Sequence, residues 1–283
     1  AVTKAACVLG GGLIGLKAAY ALKKRGVDVK VVIKSGQVLS QMLDFCGASF
    51  VQKKLEENGI DIILGQDAAE IIGNGDIKAV KLDSGKVFAA SLVIVGKGVL
   101  PNIDLVKDTE IKVNEGIVAN EFLQTNIPNI YTAGDVCESF DIVLGSYTVN
   151  ALWPVAVEQG RIAGLNMMGE KRQYDGSLGM NSIEFFGLPV ISLGIYKIKE
   201  EERHLFEEIK ILDEKTNIYK KLIIRGNLLV GAVLVGDIKN SGLFLRLIRE
   251  KIDLTGFKDK LLKENFGYPQ IRDLLKEREK IYV

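Results

Sequence analysis

The chain opens on an apolar run, 5–9, that meets three glycines and passes at once into a helix-forming run, 16–25. A short apolar run bounded by glycine predicts a buried strand, and the run after it predicts a helix. Gly26 breaks that helix, and 27–33 reads as a second strand. After a turn at Lys34-Ser35-Gly36-Gln37, Leu43-Asp44 starts a helix with an apolar stripe of Phe45, Ala48, Val51 and Leu55, stopped by Asn58-Gly59. Residues 60–64 read as a third buried strand. Three strands at hairpin spacing follow, 68–72, 77–82 and 87–95. Gly73-Asn74-Gly75-Asp76 and Asp83-Ser84-Gly85-Lys86 join them, compositions that tight turns need. Residues 1–97 thus read as one α/β unit with a β-meander inserted after its third strand.

The strand ending at Val95 runs into Gly96, Gly98 and Pro101, either a domain-boundary turn or a place where backbone passes close to a cofactor. Short strands are expected at 117–119 and 130–132, the second ending in Ala133-Gly134-Asp135. Residues 150–169 predict a helix with Pro154 in its first turn, where proline is tolerated. Its small residues Ala156, Gly160, Ala163 and Gly164 suggest close packing on a sheet. From about 175 the pattern changes to short strands, with 206–212, 218–225 and 228–235 as an antiparallel sheet, a helix at 241–251 and a Lys/Glu-rich tail helical in parts. This reads as a small α+β domain, for association or for supporting its neighbour.

The glycines carry the candidate chemistry. Gly10, Gly12 and Gly15 have the G-x-G-x-x-G spacing of a dinucleotide-binding turn, in the strand–turn–helix context it requires. The first glycine permits the sharp turn, the second lets a pyrophosphate approach the backbone, and the third lets helix and strand pack closely. Leu13 and Ile14 lie between the second and third, where the helix N-terminus offers free N–H groups to the phosphates. A site for NAD ordinarily places an acid at the end of the second strand to hold the ribose hydroxyls. This chain has Lys34-Ser35 there, a cation and a hydroxyl that favour the 2′-phosphate of NADP. Gly134 and Asp135 suit sugar hydroxyls and phosphate, or Asp135 is simply a cap on the next segment. Trp153 faces either the core or a cofactor, with core the expectation.

Composition removes other classes. The 283 residues include 37 basic and 36 acidic side chains for a net charge of +1, which gives no electrostatic case for nucleic acid or an anionic membrane. No apolar run approaches the roughly 20 residues of a membrane helix. Cys7, Cys46 and Cys137 form no C-x-x-C, which fits a reducing cytoplasm and gives neither a disulfide framework nor a local zinc site. Each reads as a small core residue. The one histidine, His204, follows Glu200-Glu201-Glu202-Arg203 and reads as surface. The chain starts Ala1-Val2-Thr3-Lys4, without methionine, and is expected to be a fragment of a longer protein.

Taken in order, Gly10 to Gly15, Leu43-Asp44, Gly96-x-Gly98-x-x-Pro101-Asn102, Tyr131-Thr132-Ala133-Gly134-Asp135 and the 153–169 helix resemble the pyridine nucleotide–disulfide oxidoreductase superfamily. The rubredoxin reductase and nitrite reductase flavoprotein group is the nearest branch. The resemblance implies a Rossmann-like NAD(P)H-binding domain at 1–97, the second segment of an FAD-binding domain at 98–172, and a C-terminal interface domain at 173–283 that supports a homodimer. FAD and NAD or NADP would be the cofactors, with Asp135 toward the flavin ribityl chain and pyrophosphate. The partners implied are the missing first FAD segment or a subunit supplying it, and an electron acceptor, protein or small molecule. Lys17 stands where the family commonly has a glutamate near the nicotinamide. Two other readings stand beside this one. A relative of CoA-disulfide reductase or NADH oxidase needs a redox cysteine that the family places in the missing segment. A non-catalytic nucleotide-binding or assembly subunit would fit the exchange at Lys17.

Overall fold

The computed structural model describes residues 3–272; the two N-terminal residues and the end of the Lys/Glu-rich tail, expected to be helical in parts, lie outside the described residues. The chain begins β1 (Ala5–Leu9), α1 (Leu13–Lys24), β2 (Asp28–Ile33), α2 (Phe45–Glu57) and β3 (Ile60–Leu64), continues through the meander β4 (Ala68–Asn74), β5 (Asp76–Leu82) and β6 (Val87–Ala89), and returns with β7 (Leu92–Val95). The four strands β3-β2-β1-β7 form a parallel sheet in that order. Helix α1 buries Gly15, Leu16 and Ala19 and gives way to Gly26, at φ 79°. Helix α2 is capped by the Asp44 carboxylate on the Gly47 N–H and is followed by Gly59 at φ 77°. Its inward face is Ala48, Phe50, Val51 and Leu55; Phe45, expected in that stripe, is exposed instead.

The run 87–95 is two strands rather than one. Residues 87–89 pair antiparallel with β5, and 92–95 pair parallel with β1, after a break where Ser91 N–H donates to Ala5 C=O. The meander covers one face of the parallel sheet through Val80, Leu82 and Ala90.

Residues 98–175 carry little regular structure. A small sheet joins β8 (Ile117–Val118), β9 (Cys137–Asp141) and β10 (Ser146–Thr148), followed by α3 (Trp153–Met167). The strand expected at 130–132 is a single bridge, Gln124 to Tyr131; the neighbouring amides of Thr125 and Thr132 close a local loop with Ile130 and Leu123. The extended segment comes after the Gly134-Asp135 turn, as β9, not before it. Helix α3 buries Val155, Gln159, Ala163 and Asn166; of the four small residues expected to pack closely, Ala163 meets Cys137 of β9 in the core, whereas a Cβ at Gly160 or Gly164 would meet nothing within 4 Å. Gln159 bonds Ser139 and the Gly134 amide, and Asn166 bonds the backbone of Phe122 and Arg172, which rotates the polar pair inward.

The last part is a five-stranded antiparallel sheet, in the order β11-β12-β15-β14-β13, of β11 (Met180–Phe185), β12 (Leu188–Gly194), β13 (Phe206–Asp213), β14 (Ile218–Arg225) and β15 (Leu228–Val235), with α4 (Ser241–Arg249) on one face. Its other face shares one core with α1 and α2: Phe185, Leu188, Val190, Tyr219, Val233 and Val235 cluster with Leu16, Ala19, Val51 and Leu55. The helices are thus held between the parallel sheet and the five-stranded sheet. His204 is exposed in a 3-10 turn, Glu200–Leu205.

Candidate dinucleotide site

The glycines of the first turn divide by what surrounds them. A Cβ on Gly10 would lie 2.2 Å from the Gly96 carbonyl oxygen, and one on Gly15 would lie 2.2 Å from the Gly10 carbonyl oxygen. A Cβ on Gly96 would in turn lie 3.1 Å from the Gly15 Cα. These three positions therefore hold β1, α1 and β7 together, and Gly10 also adopts φ 120°. Gly12 differs: a Cβ there would meet nothing within 4 Å. It is the N-cap of α1, with no side-chain cap, so the first N–H groups of the helix face open space beside a glycine. A pyrophosphate fits this cradle, with backbone donors, a positive helix end and no Cβ in the way. Leu13 is partly buried against the core, and Ile14, 67 % exposed, stands on the open side.

Lys34 and Ser35 are both exposed at the carboxyl end of β2. The Ser35 hydroxyl donates to Gln37 C=O at 3.0 Å, leaving its oxygen free to accept. The spacing of the chain gave no sign of Asp67, which lies close by. Its carboxylate pairs with Lys97 at 2.5 Å, and that bond, with Lys34 a smaller cause, holds it below the usual carboxylate range. Lys97 lies between Gly96 and Gly98, the latter at φ 106° with open space around it. Lys17 is turned away from the glycine turn: its Nζ donates to Glu184 C=O at 2.7 Å and lies over the rings of Tyr20 and Phe185.

The second candidate region is separate. Gly134, at φ 82°, gives its N–H to Gln159 Oε1 at 2.8 Å, which fixes the turn, while Asp135 is exposed. Trp153 is 84 % exposed at the start of α3, against the core placement expected for it. Leu152, the α3 N-cap, makes no side-chain cap, so this helix end is also open. The described residues hold no second glycine-rich strand–turn–helix.

The thiols behave as core residues or nearly so. Burial pushes the Cys7 thiol up to about 11 and the Cys137 thiol up to about 12. Cys46 is only partly buried, and burial again raises it, with Asp44 adding to the effect. No disulfide is formed and no cluster of metal ligands is present among the described residues. No helix among them is long and apolar enough to cross a membrane.

An open glycine cradle at the head of a βαβ unit, followed by an antiparallel sheet packed onto the same helices, defines a Rossmann-like dinucleotide-binding architecture. The chain belongs to the pyridine nucleotide-disulphide oxidoreductase family, which it matches over residues 1–160; residues 180–252 match the rubredoxin NAD+ reductase C-terminal domain. It is 34 % identical over 253 residues to the Bacillus subtilis nitrite reductase [NAD(P)H], covering 89 % of this chain and 30 % of that protein. It is 42 % identical over 172 residues to an NADH oxidase of Methanocaldococcus jannaschii, covering 60 % of this chain and 38 % of that protein. The fold is shared with the NAD-dependent persulfide reductase of A. fulgidus, at a TM-score of 0.80 and 24 % identity, over 94 % of this chain and 52 % of that one. The chain thus spans well under two thirds of each of these relatives. Members of the family use FAD and NAD(P)H.

Proposed function

We propose that this chain is the nucleotide-binding and interface part of an FAD-dependent NAD(P)H oxidoreductase that passes electrons on to a protein or small-molecule acceptor. The observation that carries this is the open cradle at Gly12, framed by three glycines packed against one another. The bound cofactors supply the hydride chemistry themselves. The chain's part is to hold and orient: the α1 N-terminus takes the pyrophosphate, Lys34 and Ser35 take the adenosine ribose end, and Gly96 and Gly98 let the dinucleotide lie against backbone. Asp135 and the α3 N-terminus form this chain's half of the flavin pocket. The exposed residues Trp153, Val157, Leu100 and Leu105 mark a surface for the rest of that pocket, supplied by a further segment or subunit. A redox-cysteine chemistry of the CoA-disulfide reductase kind would draw its cysteine from there, since Cys7 and Cys137 are buried and Cys46 sits on α2 beside the Asp44 cap rather than at the cradle. The low content of reactive cysteine fits the cytoplasm. A second reading, a non-catalytic nucleotide-binding subunit, is favoured by one contact: Lys17 is committed to Glu184 C=O rather than to the nicotinamide end.

Calorimetric titration of the chain with NADH and NADPH tests the central claim. Saturable binding in the micromolar range or weaker is expected, tighter for NADPH, with the preference removed in Lys34→Ala. Saturable binding to neither coenzyme overturns it. Flavin absorbance in the full-length protein separates the enzyme from the colourless subunit.

A further inference from the structure

Lys221 of β14 is 2 % exposed and belongs to none of the regions described above. Its Nζ donates to Asp44 Oδ2 at 2.6 Å and to the Tyr196 carbonyl at 2.7 Å, with Glu208 Oε1 3.6 Å away. Two positions earlier on the same strand face, the Tyr219 hydroxyl donates to the same Asp44 Oδ2 at 2.7 Å. The other oxygen, Oδ1, accepts the Gly47 N–H at 3.0 Å and caps α2. One carboxylate thus receives two donors from the five-stranded sheet and one from its own helix.

Stability is a poor account of this cluster. Removing an ammonium and a carboxylate from water costs several kcal/mol, and apolar replacements of similar volume are often neutral or better. What such a node does fix is relative placement, because a slip of either part leaves a buried charge without its partner. The placement is carried onward through backbone. Leu43, beside Asp44, donates its N–H to Leu39 C=O at 3.0 Å, and Leu39 donates its N–H to Gly11 C=O at 2.8 Å. Leu39 holds φ 50°, a conformation costly for a bulky residue and kept only where its surroundings enforce it. Gly11 adjoins Gly12, the open glycine of the cradle. A continuous series of hydrogen bonds therefore links the five-stranded sheet to the phosphate turn.

We propose that Lys221 and Tyr219, acting through Asp44, are positioning residues for the dinucleotide: the five-stranded sheet sets the pose of the glycine turn 34–44 leads back to. The inference rests on the nucleotide-binding reading. NADPH titrations of the wild-type chain, Tyr219→Phe, Lys221→Met, Asp44→Asn and the Lys221→Met/Asp44→Asn double variant test it, with thermal melts alongside. Lys221→Met is expected to weaken binding at least about fivefold and Tyr219→Phe about threefold. The double variant should bind no worse than the weaker single, because both act through one carboxylate. Tyr219→Phe removes a single hydroxyl and keeps the test open should Lys221→Met fold poorly. A purely structural cluster would lower the melting temperature and leave the Kd alone; Kd values within about twofold of wild type in both single variants overturn the inference. Absence of binding by the wild type overturns the nucleotide-binding reading itself, and this inference with it.

Discussion

At the scale of single residues, the glycine turn separates two jobs that the motif spacing shows as one. Gly15 has the Gly10 carbonyl where a side chain would go, and Gly12 has open space. Gly15→Ala is therefore expected to cost at least about 2 kcal/mol in denaturant unfolding, from overpacking against backbone that has no room to yield. Gly12→Val, at an N-cap with φ −82° and ψ −177°, is expected to cost only about 1 kcal/mol. It should nonetheless weaken coenzyme binding about tenfold or more, since the new side chain occupies the pyrophosphate space. Equal losses of binding and stability in the two variants would show that the division is wrong. The thiols make a second residue-level prediction. Cys46 should react with a thiol reagent first, and Cys7 and Cys137 only on unfolding, because burial holds both in the protonated form.

At the scale of elements, what could be read from the sequence depended on whether burial followed apolarity. β3 was legible as a strand because four of its five residues are apolar and its bounds are marked by Asn58-Gly59 and Gly65. As the edge of its sheet, however, it buries only Ile60, with Asp61 exposed and residues 62–64 half-buried, rather than being the buried strand expected. β9 was not, because Glu138, Ser139 and Asp141 are buried there. The Glu138 carboxylate accepts from Asn114 and from the Glu115 and Gly116 amides, so a polar sequence forms an interior strand. Likewise α3 turns Gln159 and Asn166 inward beside Ala163, while Gly160 and Gly164 of the small-residue face that the pattern singled out lie open. In the candidate site the glycines and Lys34 were visible from spacing, whereas Asp67 and Leu39 enter only through tertiary pairing. The cap of α2 also has a pH signature. Burial pushes the Asp44 carboxyl up, but its bonds from Lys221, Tyr219 and the Gly47 N–H outweigh that and hold it below the ordinary 3.8. Glu208 and Lys210 of β13 and Cys46 of α2 also face this cluster; burial and the Asp44 bond push the Tyr219 hydroxyl up, so it remains a donor. A depressed folded-state pKa stabilises above the ordinary carboxylate value and ceases to do so as pH falls through the lower folded value. The stability advantage of wild type over Asp44→Asn should thus be full above the ordinary carboxylate value and be lost as pH falls from there through the lower folded-state value. A difference that does not change with pH would remove the ionised carboxylate from the account.

At the scale of the whole molecule, the two sheets are not independent bodies joined by a linker. α1 and α2 lie between them in one core, and Lys17, Asp44 and the Tyr20–Phe186 edge contact cross the same boundary. The C-terminal sheet, expected to serve association or to support its neighbour, packs one face onto α1 and α2. α3 presents Trp153 and Val157 to solvent on an exposed flank, and residues 98–105 present Val99, Leu100 and Leu105 outward.

That flank has an optical consequence. Trp153 is the chain's one tryptophan and is 84 % exposed. Its indole emission in the isolated chain should therefore lie at the red limit set by water. On the proposed function, docking of a flavin-bearing segment there should move the same band to shorter wavelength and dim it by energy transfer to the isoalloxazine, a single-site signal that needs no dye. An emission already blue in the isolated chain would mean that this face is closed.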